Sequence, residues 1–175
     1  MTIDSVAGFT SVALFLAGFV SAQTPRAAQK PAPPRPPADL AQLMKGVIYP
    51  SSNVFFAAQS DDPAEIKPDS KPSVSPNLLT STFGKWEAVE NSALALAESA
   101  SLLDVPGRKC SNGADVPLKN PDWEKFVTEL REAGLVAYKA AQTRNQDEIL
   151  RAAEVVTTSC SNCHARYREK THRCR

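Results

Sequence analysis

Residues 147–167 read DEILRAAEVVTTSCSNCHARY, in which Ile149, Ala152, Ala153, Val156, Cys160, Cys163, His164 and Tyr167 recur at steps of three and four. That period marks one buried side of an α-helix. Cys160 and Cys163 are therefore neighbours one turn apart on the core-facing stripe, with His164 beside them. The chain needs other helices to cover such a stripe, and it supplies them.

Working back towards the N-terminus, Pro121, Trp123, Phe126, Val127, Leu130, Ala137, Tyr138 and Ala141 describe a third helix. Asn120 is a favoured cap and Pro121 a favoured first residue. Gly134 interrupts that stripe, and a glycine within a helix costs about 1 kcal/mol relative to alanine. It fits the close approach of a neighbouring helix, the approach of a flat ligand, or simple tolerance. Trp86, Val89, Ala93, Leu96, Ala97, Ala100 and Leu103 mark a second helix that Pro106-Gly107 ends. The first helix begins at Asp39, with Gln42 placed to complete a capping box, and runs through Leu40, Leu43, Met44, Val47, Ile48, Val54, Phe55 and Ala58. Pro50 is expected to kink or split it. Between Gln59 and Thr80, Pro63, Pro68, Pro72 and Pro76 stand among polar residues, which reads as a surface loop. Four amphipathic helices with no strand pattern predict an all-α fold, an antiparallel four-helix bundle over 39–175 with its functional residues inside.

The string Cys160-Ser161-Asn162-Cys163-His164 is a Cys-x-x-Cys-His sequence, the attachment signature of a covalent c-type haem. The spacing has a chemical reason, since two thiols on one turn can each add across a haem vinyl group while the adjacent histidine reaches the iron. Two other chemistries use such a pair. Cys160, Cys163, His172 and Cys174 together offer four ligands for zinc, and a Cys-x-x-Cys pair can be a redox dithiol or a structural disulfide. Export counts against both, and so does the lack of a βαβ pattern around the pair.

Export is read from 1–22, where an apolar run from Val6 to Val20 precedes Val20-Ser21-Ala22, a small-residue cleavage pattern. The segment lacks a cation and carries Asp4, so an uncleaved anchor is the alternative; the run is short for a bilayer span. A Pro- and Ala-rich linker follows over 23–38, with Arg26, Lys30 and Arg35 as its charges. The whole chain is formally +1. Without Asp4 it becomes +2, and without the three linker cations the domain is −1. No nucleic-acid partner is implied by that balance. The expected location is the periplasm, with membrane attachment only if the N-terminal segment stays uncleaved.

From Asp39 to Arg168 the chain resembles the class II c-type cytochromes, the cytochrome c-prime group and its methionine-ligated low-spin relatives. The resemblance is carried by the attachment string late in the last of four helices, by its continuation Cys163-His164-Ala165-Arg166-Tyr167-Arg168, and by a methionine early in the first helix. It implies one haem c, thioethers at Cys160 and Cys163, and His164 as the proximal iron ligand. Relatives often pair as dimers through their first two helices, so a homodimer is an expectation too, which the proline and the long loop weaken here.

The sixth iron position has few candidates. Met44 is the only methionine beyond Met1, and in an up-down-up-down bundle the start of the first helix lies beside the end of the fourth. Its place also matches the ligand of the methionine-bound relatives. With His164 and Met44 both bound, the expected function is single-electron transfer to and from a redox protein; with Met44 off, it is binding of nitric oxide or carbon monoxide. No enzyme activity is expected, because the sequence offers no distal histidine or paired carboxylates for acid-base work on a bound peroxide. Arg166 and Arg168 are candidates for contact with the haem propionates, or for solvating the helix end. Cys110 and Cys174 follow the ends of the second and fourth helices, which share a pole in such a bundle, and this predicts a disulfide between them. Such a pair departs from the family pattern.

Overall fold

The computed structural model describes residues 35–168 and Cys174. The export segment 1–22, most of the linker with Arg26 and Lys30, and His172 lie outside the described residues. Those described are mostly helical, with no strands among them and a single isolated bridge between Lys109 and Asp115.

The first helix, α1 (40–57), starts where its sequence says it should. Asp39 Oδ1 accepts from the Gln42 backbone N–H at 2.7 Å and Gln42 Oε1 accepts from the Asp39 N–H at 2.9 Å, so two orphan donors satisfy each other's side chains. Pro50 does not break it. The segment runs as α-helix over Leu40–Leu43, as π-helix over Met44–Ile48, and as α-helix again over Tyr49–Ala57. The Tyr49 N–H bonds to the Met44 carbonyl, five residues back. A proline lacks the N–H that would serve the carbonyl four residues behind it, and its ring crowds that carbonyl. The wider π turn relieves both problems without a break. It also inserts one residue into the helical phase: Leu40, Leu43, Ile48, Ser52, Phe55 and Ala58 are buried, with a step of five between Leu43 and Ile48. Val47, expected in the core, is 37% exposed for that reason.

The long loop after α1 closes on itself through short 3-10 turns at Pro72–Val74 and Leu78–Thr80, with Leu79 and Pro63 buried. Helices α2 (Lys85–Leu103), α3 (Pro121–Gln142) and α4 (Gln146–Tyr167) follow. Asn145 caps α4, its Oδ1 accepting from the Asp147 N–H at 2.8 Å.

Packing is between chain neighbours. α1 lies on α2, α2 on α3 and α3 on α4, and α4 returns to touch α1 chiefly through Tyr49–Ala57. Gly134 makes the α2–α3 contact tight, since a Cβ there would stand 2.5 Å from the Ala97 backbone nitrogen. Of the readings open for this glycine, the structure selects the neighbouring helix. One apolar core runs through the four helices, with Phe55, Val89, Leu96, Ile149 and Val156 fully enclosed. Among the described residues no helix is long and apolar enough to cross a membrane.

Candidate haem-attachment site

Cys160 and Cys163 lie one turn apart on α4, both half-buried and packed against the core. Burial raises the pKa of the Cys160 thiol. The Cys163 thiol is pushed up to about 12, first by burial and then by the nearby Cys160, Glu129 and Asp122. Two thiols so placed stay protonated at neutral pH while no metal or other group holds them.

His164 is half-buried, and its Nδ1 faces the Arg168 guanidinium at 3.4 Å. Its direction on α4 follows from Gln146, whose Nε2 donates to the Ala58 carbonyl at the end of α1 at 3.2 Å. Gln146 and His164 are eighteen residues apart, five full turns, so both lie on the flank of α4 that turns towards α1. Met44 opens the π segment of α1 and is half-buried against the core. It stands fourteen residues before Ala58, and Cys160 stands fourteen after Gln146, so from that shared end each lies about 20 Å along its helix. At this level α1 leans on α2 and its contacts with α4 are sparse. Half-buried thiols, a histidine on the same flank and a thioether-bearing residue at the same height fit the donor set of a haem held between α1 and α4.

The end of α4 is anchored through its core-facing side to α3. Tyr167 is buried, its ring edge-on to Trp123 at 4.9 Å and to Phe126 at 6.1 Å. The Tyr167 hydroxyl donates to Asp122 Oδ1 at 2.5 Å and receives the Asn120 side-chain N–H at 3.3 Å. Arg166 Nε donates to Asp122 Oδ2 at 2.8 Å. The tyrosine hydrogen bond, with Arg166 behind it, holds the Asp122 carboxyl below its usual range. Arg166 is thus tied to the start of α3, and Arg168 is the cation beside His164. The sequence reading missed this cluster, because its partners lie more than forty positions apart.

The same pole carries the cysteine pair. Cys110 and Cys174 are joined by a disulfide with their Cα atoms 4.5 Å apart. Around them the first residues of the domain are fastened: the Leu40 N–H donates to the Lys109 carbonyl at 2.8 Å, and the buried Arg108 donates from Nη1 to the Ala38 carbonyl at 2.6 Å and from Nε to the Leu102 carbonyl at 3.0 Å. The disulfide takes Cys174 out of the four-ligand zinc set. No group of three or more metal-binding side chains occurs among the described residues.

Compared with family models, with curated proteins and with solved structures, the chain has no significant match. Its function is argued from its own residues.

Proposed function

We propose that the chain is an exported c-type cytochrome of the class II kind, an antiparallel four-helix bundle carrying one haem c on Cys160 and Cys163, with His164 and Met44 as axial ligands. The observation that carries this reading is the common level of Met44 on α1 and the Cys-x-x-Cys-His turn on α4, where those helices have few contacts. The haem, when bound, supplies a one-electron couple. The chain's own residues supply the rest: α4 presents both thiols and the histidine, the Asp122 cluster fixes the last turn of α4, and the π turn sets the direction of Met44.

Two ligands and no vacancy describe an electron carrier, because a filled coordination shell changes little when an electron arrives. The Cys110–Cys174 disulfide supports export to an oxidising compartment such as the periplasm. It also weakens the zinc reading.

The test is a visible spectrum of the protein made in a host with c-haem maturation, reduced and then exposed to carbon monoxide. A covalent haem whose spectrum carbon monoxide leaves unchanged is expected. Absence of covalent haem overturns the reading, and a prompt shift with carbon monoxide moves it to gas binding.

A further inference from the structure

On the opposite flank of α4 from His164, a groove of about 460 Å³ runs between α3 and α4. Ala133, Val136 and Val155 give it an apolar floor, and Glu129, Glu132 and Glu154 surround it without a cation in its lining. Carboxylates alone make a solvated rim. The informative residue is Ser159.

Among the described residues four helical serines are buried: Ser52, Ser92, Ser99 and Ser159. Three return their hydroxyls to a carbonyl of the preceding turn, Ser52 to Tyr49 at 2.9 Å, Ser92 to Ala88 at 2.6 Å and Ser99 to Leu96 at 3.0 Å. That is the ordinary way for a helical serine to satisfy itself. Ser159 does not do so. It is 6% exposed, it lines the groove, and its Oγ has no hydrogen-bond partner. Glu129 Oε2, in the same lining, is also buried without a partner, while Oε1 of that carboxylate faces Lys125 at 3.6 Å. Glu132 and Glu154 form no ion pair among the described residues.

Leaving a polar atom unmet in a buried position is costly, so a pair of them in one groove calls for a donor from outside. The donor must be cationic to suit the rim. It must carry several N–H groups to serve a carboxylate oxygen, a hydroxyl and the nearby Asn162 side chain. It must also carry an apolar stem to lie on Val136 and Val155. We propose that this groove binds a small alkylammonium ion, its ammonium at Glu129, Ser159 and Asn162 and its chain along Ala133, Val136 and Val155. An ammonium has three donors for three acceptors. The donor set does not favour a metal, since the carboxylates do not converge into a metal-binding group.

The proposal does not depend on the haem, and its readout is separate from any haem signal. The full exported chain is labelled and titrated by NMR with n-butylammonium chloride, and with butan-1-ol as the uncharged control. Saturable shifts confined to the Glu129, Ser159 and Asn162 amides and the Val136 and Val155 methyls are expected with the amine and not with the alcohol. Glu129→Gln and Ser159→Ala are each expected to weaken binding by about tenfold. The proposal is overturned if the amine gives no saturable shift, if the alcohol binds equally well, if the double variant keeps the wild-type affinity, or if calcium chloride alone saturates these residues.

Discussion

The Tyr167 hydroxyl donates a 2.5 Å hydrogen bond to Asp122 Oδ1, joining the last turn of α4 to the first turn of α3. The pair holds the turn that carries His164. It also makes stability depend on pH with a definite sign. The Asp122 carboxyl lies below its ordinary value of 3.8, chiefly because of that hydrogen bond. A carboxyl lowered by folding contributes its stability in full above the unfolded value and loses it as pH falls towards the folded one. Asp122→Asn is therefore expected to lower the thermal midpoint most near neutral pH, with the two curves converging as pH falls below the ordinary carboxyl value and through the lowered folded one. A difference that stays constant over that range would show that the carboxylate charge has no part in it. In Tyr167→Phe, carbon-detected NMR should find the Asp122 carboxyl titrating closer to its ordinary value.

Gly134 and Gly46 predict opposite outcomes for the same substitution. A Cβ at 134 would meet Ala97 backbone atoms at 2.5 and 2.8 Å, and backbone cannot swing aside. Gly134→Ala should destabilise by about 1–3 kcal/mol in urea unfolding, the overpacking outweighing the gain in helix propensity. At Gly46 nothing lies within 4 Å of the added atom. Gly46→Ala should be neutral or stabilise by up to about 1 kcal/mol.

The Cys110–Cys174 bond spans 64 positions and clasps the pole where Arg108 and Lys109 hold the start of α1. Replacing both cysteines by serine should lower unfolding free energy by about 2–4 kcal/mol. Under the proposed haem attachment the visible spectrum should not change, because neither sulfur belongs to the Cys160–Cys163 turn. Loss of haem in that variant, with folding retained, would mean the clasp also shapes the haem slot.

What could be read in the sequence was what is local. The capping box at Asp39, the start at Asn120-Pro121 and the three-four periodicity of α2, α3 and α4 depend on residues a few positions apart, so each was legible without knowledge of the partner. The cysteine pairing was legible because two helix ends were expected at one pole. The π turn was not. Val47 and Ile48 are equally apolar, and only the five-residue step from Leu43 to Ile48 betrays the inserted residue, which Pro50 signals once its missing donor is taken into account. Arg108 was equally hidden, since an arginine in a Pro-Gly loop reads as solvated, yet it is 6% exposed and binds two distant carbonyls. Ser159 gave no signal at all, because a lone serine in a helix is ordinary until its partner is sought.

The direction of Met44 is the last point at which sequence, geometry and function meet. Pro50 cannot donate to the Gly46 carbonyl, and the Tyr49 N–H reaches back to Met44 instead. Pro50→Ala restores that donor and allows ordinary α-helical bonding through the turn. Removing the inserted residue from the phase turns Met44 by about 100° relative to Phe55 and the rest of the buried stripe. Under the proposed ligation this takes the thioether away from the iron. The reduced wild type should resist carbon monoxide, Met44→Ala should bind it fully, and Pro50→Ala should bind it faster than wild type while leaving both thioether bonds in place. Carbon monoxide difference spectra of the three proteins check this directly. If Met44→Ala takes up no more of the gas than wild type, Met44 is a packing residue and the sixth position belongs to another group. If Pro50→Ala behaves as wild type while Met44→Ala opens, the π turn is set by the packing of Leu43 and Ile48 rather than by the proline.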